Sequence, residues 1–111
     1  MDIEVSYLEM NDGTCPYLEW ERELDTAARG AARIRINRVR LRNFGDCKPI
    51  TGTPNLFELR IHLGPGYRIY FGKTKETLVI ILCGGHKKSQ DRDIKKAKAY
   101  WQLYKDSLKK K

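Results

Sequence analysis

The sequence predicts an α+β domain in which helices pack on one face of a largely antiparallel sheet, in the order β-α-α-β-meander-α. Three observations lead to this prediction. An alanine-rich segment lies in the first half of the chain, a run of alternating apolar and polar residues follows it, and a segment with apolar residues at helical spacing ends the chain. Because 111 residues suffice for one domain and not for two, residues 1–111 are expected to form a single domain.

The first elements are a strand and a short helix. Residues 2–8 alternate between polar and apolar side chains, which predicts a strand. Turn-forming residues follow, and Pro16 suits the first turn of a helix because its missing N–H is not needed there. Tyr17, Trp20 and Leu24 then fall at helical spacing on one face.

Residues 25–44 fit two interpretations. Their length and alanine content favour a helix that Asp25 caps and Gly45 ends. Arginine and apolar residues alternate over 33–36 and 39–42, however, as they would in a strand. We expect a helix over this segment.

A β-meander follows. Phe57, Leu59, Ile61 and Leu63 alternate with polar residues, so one face of this strand is expected to be buried. The apolar run at 78–83 predicts a strand that is buried on both faces and therefore interior to the sheet, ended by two glycines. The predicted strands are 57–63, 67–71 and 78–83, with turns at 64–66 and 73–76.

The chain ends in a predicted helix over about 90–108, with aspartates in its first turn where the helix dipole favours acids. Its apolar stripe is expected to be core, and the lysines at 109–111 a solvated end. The stripe consists of Ile94, Ala97, Trp101, Tyr104 and Leu108.

Composition limits the function classes. Lys and Arg number 22 against 14 Asp and Glu, so the net charge is +8 and the expected partners are polyanions or an acidic protein. The longest apolar run has six residues, Leu78–Cys83, which is too short to span a bilayer. The amino terminus resembles no secretion signal, so a cytoplasmic location is expected.

Several chemistries are excluded by the absence of their motifs. Cys15, Cys47 and Cys83 form no C-x-x-C pair, and we expect reduced thiols. With His62 and His86 as the two histidines, no zinc-ligand spacing exists. The sequence contains no Walker loop, dinucleotide fingerprint or nucleophile elbow, so no cofactor is expected.

A candidate site lies on the predicted hairpin. If the loop at 64–66 sets Leu63 opposite Tyr67, then His62 faces Arg68 and Arg60 faces Tyr70, with Glu58 beside them. The loop after the last strand adds His86, Lys87 and Lys88. A solvated sheet face, with His62 only pairing across the strands, is the alternative interpretation.

The second basic feature is the set of arginines within 29–42, which contains no acid to pair with. We interpret it as a helix face that binds phosphate or an acidic partner, and take Arg33 and Arg40 as RNA contacts.

Cleavage of an RNA phosphodiester needs a group that removes the 2′-hydroxyl proton, cations that stabilise the phosphate, and protonation of the leaving 5′-oxygen. Arginine suits the second role, because its charge never titrates. Histidine, tyrosine or lysine can serve the others without a metal.

Three segments together resemble the RelE/ParE toxin superfamily, specifically its phage-derived addiction module killer branch close to HigB-type toxins. They are Leu56–Ile61, Gly64–Phe71 and Gly84–Ala97. The resemblance covers about residues 15–105. It implies a RelE-like fold: a twisted, mainly antiparallel sheet with two amino-terminal helices and one carboxy-terminal helix.

The resemblance also implies the toxin of a type II toxin–antitoxin module. Its partners would be a helix-turn-helix antitoxin, the ribosome and mRNA, and its activity a metal-independent mRNA endoribonuclease that inhibits translation. Arg68 matches the arginine that the family has in this strand. Arg60 stands where RelE has a lysine and Lys87 where it has an arginine, so these two positions keep the positive charge but not the residue type. The family's carboxy-terminal tyrosine has no counterpart, and His86 stands where the killer branch usually has an acid.

The resulting expectation divides the site into two groups. The catalytic residues are Arg60, Arg68, His86 and Lys87, with His86 as the proton-transfer group, and the RNA-binding residues are His62, Tyr70, Lys88, Arg33 and Arg40. The alternatives are a ParE-like, non-enzymatic gyrase inhibitor and a degenerate toxin that only binds its antitoxin.

Overall fold

A computed structural model describes residues 2–109 of the chain. It is α+β, with a five-stranded sheet and three α-helices, as the sequence predicts. A 3₁₀ turn, Lys87–Ser89, joins the last strand to the last helix. In chain order the elements are β1 Glu4–Tyr7, α1 Pro16–Arg22, α2 Thr26–Arg40, β2 Cys47–Pro49, β3 Leu56–Ile61, β4 Tyr67–Lys75, β5 Leu78–His86 and α3 Gln90–Lys109.

The sheet has the strand order β1-β5-β4-β3-β2. All neighbours are antiparallel except β1 and β5, which run parallel. The predicted interior position of the apolar strand is confirmed, because β5 lies between β1 and β4 and its residues 79–83 are buried. Leu82 is an extra residue in β5, since Tyr70 pairs with Cys83 and Phe71 with Ile81.

Helices cover both faces of the sheet, so the expectation that they pack on one face is wrong. On one face, which we call the α1–α2 face, Tyr17 and Ile36 pack with Ile81. On the other, the α3 face, Ala97 and Trp101 pack against strand residues. The physical reason is that β5 is apolar on both sides, so each side needs a covering helix.

The ambiguous segment is a helix, and its amino-terminal cap is as predicted. The Asp25 side chain accepts a hydrogen bond from the Ala28 N–H at 2.8 Å. The helix ends at Arg40, earlier than expected, because Arg42 takes a positive φ of 65° and the Asn43 N–H returns to the Arg38 carbonyl. Ile34 is 53% exposed, so the alternating pattern does not reflect a buried strand face.

Strand ends differ from the prediction. The short strand β2 was not predicted, and β3 ends before the exposed Leu63. β4 continues through Lys75 and β5 through Gly84 and Gly85 to His86. The glycines allow close approach and do not end the strand, because a Cβ at Gly84 would collide with Trp20 and one at Gly85 with Asp93.

Helix α3 buries Ala97 and Trp101 as its apolar stripe predicts, whereas Leu108 is 46% exposed. Of the three terminal lysines, Lys109 is exposed and belongs to the helix, and the other two lie outside the described residues. Among the helices described over residues 2–109, none is long and apolar enough to cross a membrane.

The three thiols are free. Cys83 is buried, and burial raises the pKa of its thiol to about 12. Cys15 and Cys47 are half-buried, and burial also raises the pKa of Cys47, to about 11. Cys47 and Cys83 are therefore protonated and unreactive at neutral pH.

The space around two glycines predicts how their substitution by alanine changes stability. A Cβ at Gly72 would overlap that ring, so Gly72→Ala should lower the free energy of unfolding by about 1–3 kcal/mol. Gly30 lies in α2 with open space around it, so Gly30→Ala should raise that free energy by up to about 1 kcal/mol. Urea denaturation measures both, and a Gly72→Ala variant as stable as the wild type would contradict this packing.

Candidate active site

The β3–β4 hairpin sets the geometry of the candidate site. Arg60 pairs with Arg68, Ile61 with Tyr67 and Glu58 with Tyr70, so the predicted register is wrong by two residues. The strands separate after Ile61, because the connecting loop takes five residues, 62–66, with positive φ at both of its glycines. A shift of two residues preserves the face of every side chain, so Glu58, Arg60, Arg68 and Tyr70 still share the α3 face.

Glu58 holds this cluster together. Its side chain is 2% exposed, and its Oε1 accepts a hydrogen bond from Arg60 Nε at 2.9 Å. Its Oε2 accepts from Gln90 Nε2 at 2.9 Å and lies 3.5 Å from Arg68 Nε. One buried carboxylate thus connects β3, β4 and the first residue of α3. The sequence predicts Glu58 only beside the arginines and gives no sign of its contact with Gln90.

The two arginines differ in exposure. The side chain of Arg60 is 26% exposed and that of Arg68 11% exposed, so Arg68 is the more deeply buried of the two. Arg68 Nε is buried and lacks hydrogen-bond geometry to any partner among the described residues. The pair places two positive charges beside one negative charge, leaving one net positive charge.

Tyr70 shares the α3 face with the arginines. It is fully buried, and its hydroxyl forms no hydrogen bond to another described residue. Burial, and secondarily the charge of Glu58, raises the pKa of its hydroxyl. Tyr70 is therefore a core residue and is not exposed for the RNA contact that the sequence predicts.

A histidine–carboxylate pair lies next to Arg60. His62 Nε2 is 2.5 Å from Asp46 Oδ2, and the imidazole is 77% exposed. This hydrogen bond lowers the pKa of the Asp46 carboxyl. The Asp46 carbonyl also accepts a hydrogen bond from the Arg60 N–H at 2.9 Å, which anchors the segment before β2 to β3. Asp46 therefore orients the imidazole while the other ring nitrogen stays available.

An open cavity of about 400 Å³ lies at the end of the hairpin, and we call it the hairpin cavity. The Lys87 N–H donates to the Gly66 carbonyl at 2.9 Å. A Cβ on Gly66 would lie 3.6 Å from Lys87 Cβ and 3.8 Å from Arg68 Nη1, so this glycine lets both cations flank one short loop. The cavity is lined by His62, Leu63, Gly64, Pro65, Gly66 and Lys87.

His86 is not brought to the arginines. It pairs with Tyr67, whose ring packs on Trp20 on the α1–α2 face, whereas Arg68 pairs with Gly85 on the α3 face. The exposed His86 instead lines a separate cavity of about 450 Å³ beside Trp20. Lys88 is exposed in the 3₁₀ turn.

The arginines of α2 have structural partners, so the expectation that they lack an acid is wrong. Arg33 Nε lies 3.0 Å from Oε1 of the buried Glu21, whose Oε2 accepts from the Tyr17 hydroxyl at 2.9 Å. Arg29 donates to backbone carbonyls at the end of α1, and Arg35 donates to the carbonyls of Arg60, Phe44 and Asp46. The arginine segment alone does not reveal this acid, because Glu21 belongs to α1.

The two α2 arginines predicted to bind RNA lie away from the hairpin cavity. Arg33 and Arg40 belong to the helix that covers the α1–α2 face, opposite to Arg60 and Arg68. Arg40 Nη1 donates to Asn37 Oδ1 at 2.5 Å on the same helix. Among residues 2–109, no three His, Cys, Asp or Glu side chains are placed to hold a metal ion.

Comparison with known proteins places the chain in a family. The model of the family described as "Phage derived protein Gp49-like (DUF891)" matches residues 19–105. The chain belongs to the Gp49-like family. An uncharacterized Haemophilus influenzae protein is 43% identical over 86 residues, covering 77% of this chain and 85% of that protein. No solved structure matches. The Gp49-like match spans Asp46, Glu58 and Gln90, so it includes the whole candidate site.

The buried carboxylate predicts a measurable effect on stability. Glu58→Gln should lower the free energy of unfolding by about 3 kcal/mol, because it leaves two partly buried guanidinium groups without their counter-charge. Asp46→Asn is the control, since it neutralises the acid of an exposed pair and should leave the urea midpoint unchanged. Equal midpoints for both variants and the wild type would show that Glu58 does not hold the cluster together.

Proposed function

We propose that this Gp49-like protein is the toxin of a type II toxin–antitoxin module and that it cuts mRNA on the ribosome without a metal. The observation that carries the proposal is that His62 and Lys87 line the hairpin cavity, while Arg68 lies beside its Gly66 and is joined to Arg60 through Glu58. Membership in a phage-derived family and the resemblance to RelE-type toxins support the toxin role. The proposed location is the cytoplasm, and the proposed partner is an antitoxin.

In this mechanism each residue has one role. His62, oriented by Asp46, removes the proton from the 2′-hydroxyl, and the 2′-oxygen forms a bond to phosphorus. Arg60 and Arg68 stabilise the negative charge that grows on the phosphate oxygens, and Lys87 positions the RNA backbone. The bond from phosphorus to the 5′-oxygen breaks, and water protonates the leaving oxygen because the cavity is open to solvent. The products carry a 2′,3′-cyclic phosphate and a 5′-hydroxyl.

The small number of cations at the hairpin cavity favours an mRNA substrate that the ribosome holds in position. Lys87 lines this cavity of about 400 Å³ and Arg68 lies beside its loop, so these cations can contact one or two phosphates. Affinity for free RNA grows with the number of phosphates that a protein neutralises, so the site alone should bind mRNA weakly. The ribosome supplies the positioning that the toxin lacks.

Primer extension on cellular mRNA after brief induction tests the function. The wild type should arrest growth and produce discrete breaks, and Arg68→Ala should reduce cleavage by about 10²–10³-fold while remaining folded. Arg38→Ala is the matched control, because it removes the same charge from an exposed position on α2 and should leave cleavage unchanged. Intact messages with stalled replication would contradict the proposal and support a gyrase inhibitor, and normal growth at soluble expression would contradict a working toxin.

A histidine comparison identifies the proton-transfer group. His62→Ala should lower the cleavage rate by about 10²-fold with little change in ribosome binding, because a general base acts in the transition state. The sequence-based prediction gives this role to His86, which the structure places on the other face of the sheet. Single-turnover cleavage of ribosome-bound mRNA measures both variants. A rate loss confined to His86→Ala would refute the assignment to His62.

A further inference from the structure

A second large cavity lies far from the hairpin cavity. It is an open groove of about 1150 Å³ on the α3 face, between β1 and the carboxy-terminal half of α3, and we call it the β1–α3 groove. Leu8 and Ile80 give it an apolar floor, and Leu103 and Tyr104 form its wall. Leu103 is 46% exposed, so apolar surface is left uncovered.

The position of β1 explains why the groove is open. β1 is an edge strand, and its outer side pairs with no strand in the described part of the chain. Helix α3 packs against β5 and β4, so it leaves the α3 face of β1 uncovered. The backbone edge and the apolar floor therefore face the same open space, an arrangement that a partner segment can fill.

The groove has the opposite charge to the chain as a whole. The chain carries a net charge of +8, yet no Lys, Arg or His is among the residues that line the groove. Asp12 is held ionised, because hydrogen bonds from the Thr14 N–H and hydroxyl lower its pKa. The acidic lining residues are Glu4, Glu9, Asp12 and Asp106.

The groove and the hairpin cavity are distinct surfaces. The groove is lined by Leu78 at the start of β5, whereas Lys87 follows the end of that strand, about 30 Å further along at the usual rise per residue. A nucleic acid drawn to the cationic end is repelled by the acidic groove. The acidic groove is therefore unsuited to a nucleic-acid substrate.

We propose that the β1–α3 groove docks an amphipathic, basic segment of a partner protein. The apolar floor takes the segment's apolar side chains, and the acidic rim pairs with its lysines and arginines. A protein segment suits the groove better than a small molecule, because the groove is open along its length beside an unpaired strand edge. The proposal concerns a surface outside the cleavage site and does not depend on the proposed nuclease activity.

The test is an NMR titration of the full-length chain with a synthetic 16-residue helical peptide that has leucines on one face and lysines on the other. Chemical-shift changes should map to Ser6, Leu8, Leu103 and Tyr104. A matched peptide with glutamates in place of the lysines should not bind.

Matched variants of the chain distinguish docking in the groove from nonspecific peptide binding. Leu103→Ala should weaken peptide binding by about fivefold, whereas Leu108→Ala, also at a 46% exposed leucine of α3 but outside the groove, should not. The double change Glu9→Lys and Asp106→Lys should weaken binding by tenfold or more. The control double change Glu23→Lys and Glu76→Lys alters the net charge equally outside the groove and should have a much smaller effect.

Several results would overturn the proposal. They are absence of binding, shifts confined to α2 or to the hairpin cavity, and equal affinities for the groove variants and their controls. Concentration-dependent shifts at Leu103 and Tyr104 without peptide would also overturn it, because they would show that a second copy of the chain occupies the groove.

Discussion

The buried carboxylate of Glu58 is the interaction on which the candidate site depends. A carboxylate removed from water is costly unless charges and hydrogen bonds compensate for it, and here Arg60, Arg68 and Gln90 do so. Because these three residues come from β3, β4 and α3, the carboxylate also fixes how the helix meets the sheet. The arginines are thereby oriented before any substrate arrives, which is the condition for electrostatic stabilisation of a transition state.

The same constraint explains the glycines around the site. Gly85 lets the Asp93 carboxylate approach β5 at the start of α3, and Gly66 lets Lys87 and Arg68 flank one loop. Asp93 in turn accepts a hydrogen bond from Ser89, which connects the 3₁₀ turn to the helix. These contacts therefore hold the end of β5 against the first turn of α3, next to Lys87.

Charge is divided between distant parts of the fold. The cations at the hairpin cavity and the acids of the β1–α3 groove lie near opposite ends of β5. The arginines of α2 add to the net charge, yet Arg29, Arg33 and Arg35 are engaged by backbone carbonyls or by Glu21. Net charge alone therefore overstates the surface that can bind polyanions.

Periodicity predicted the fold because it reports which side of an element is buried. The apolar stripe of α3 and the doubly buried β5 could be identified in this way. Periodicity cannot fix which residues pair, so the hairpin register was wrong by two residues although the shared face was right. Contacts between distant positions were also invisible: Glu58 meets Gln90 and His62 meets Asp46 only after the chain folds.

The most direct test of the account is the side-chain ¹⁵N–¹H spectrum of the arginine Nε–H groups. The Arg60 Nε–H donates a hydrogen bond to the buried Glu58 carboxylate, and such a bond slows exchange with water, so Arg60 should give a slowly exchanging signal in the wild type that is lost in Glu58→Gln. Exposed Arg38 should exchange rapidly in both proteins. Rapid exchange of the Arg60 Nε–H in the wild type would contradict the claim that Glu58 orients the arginines.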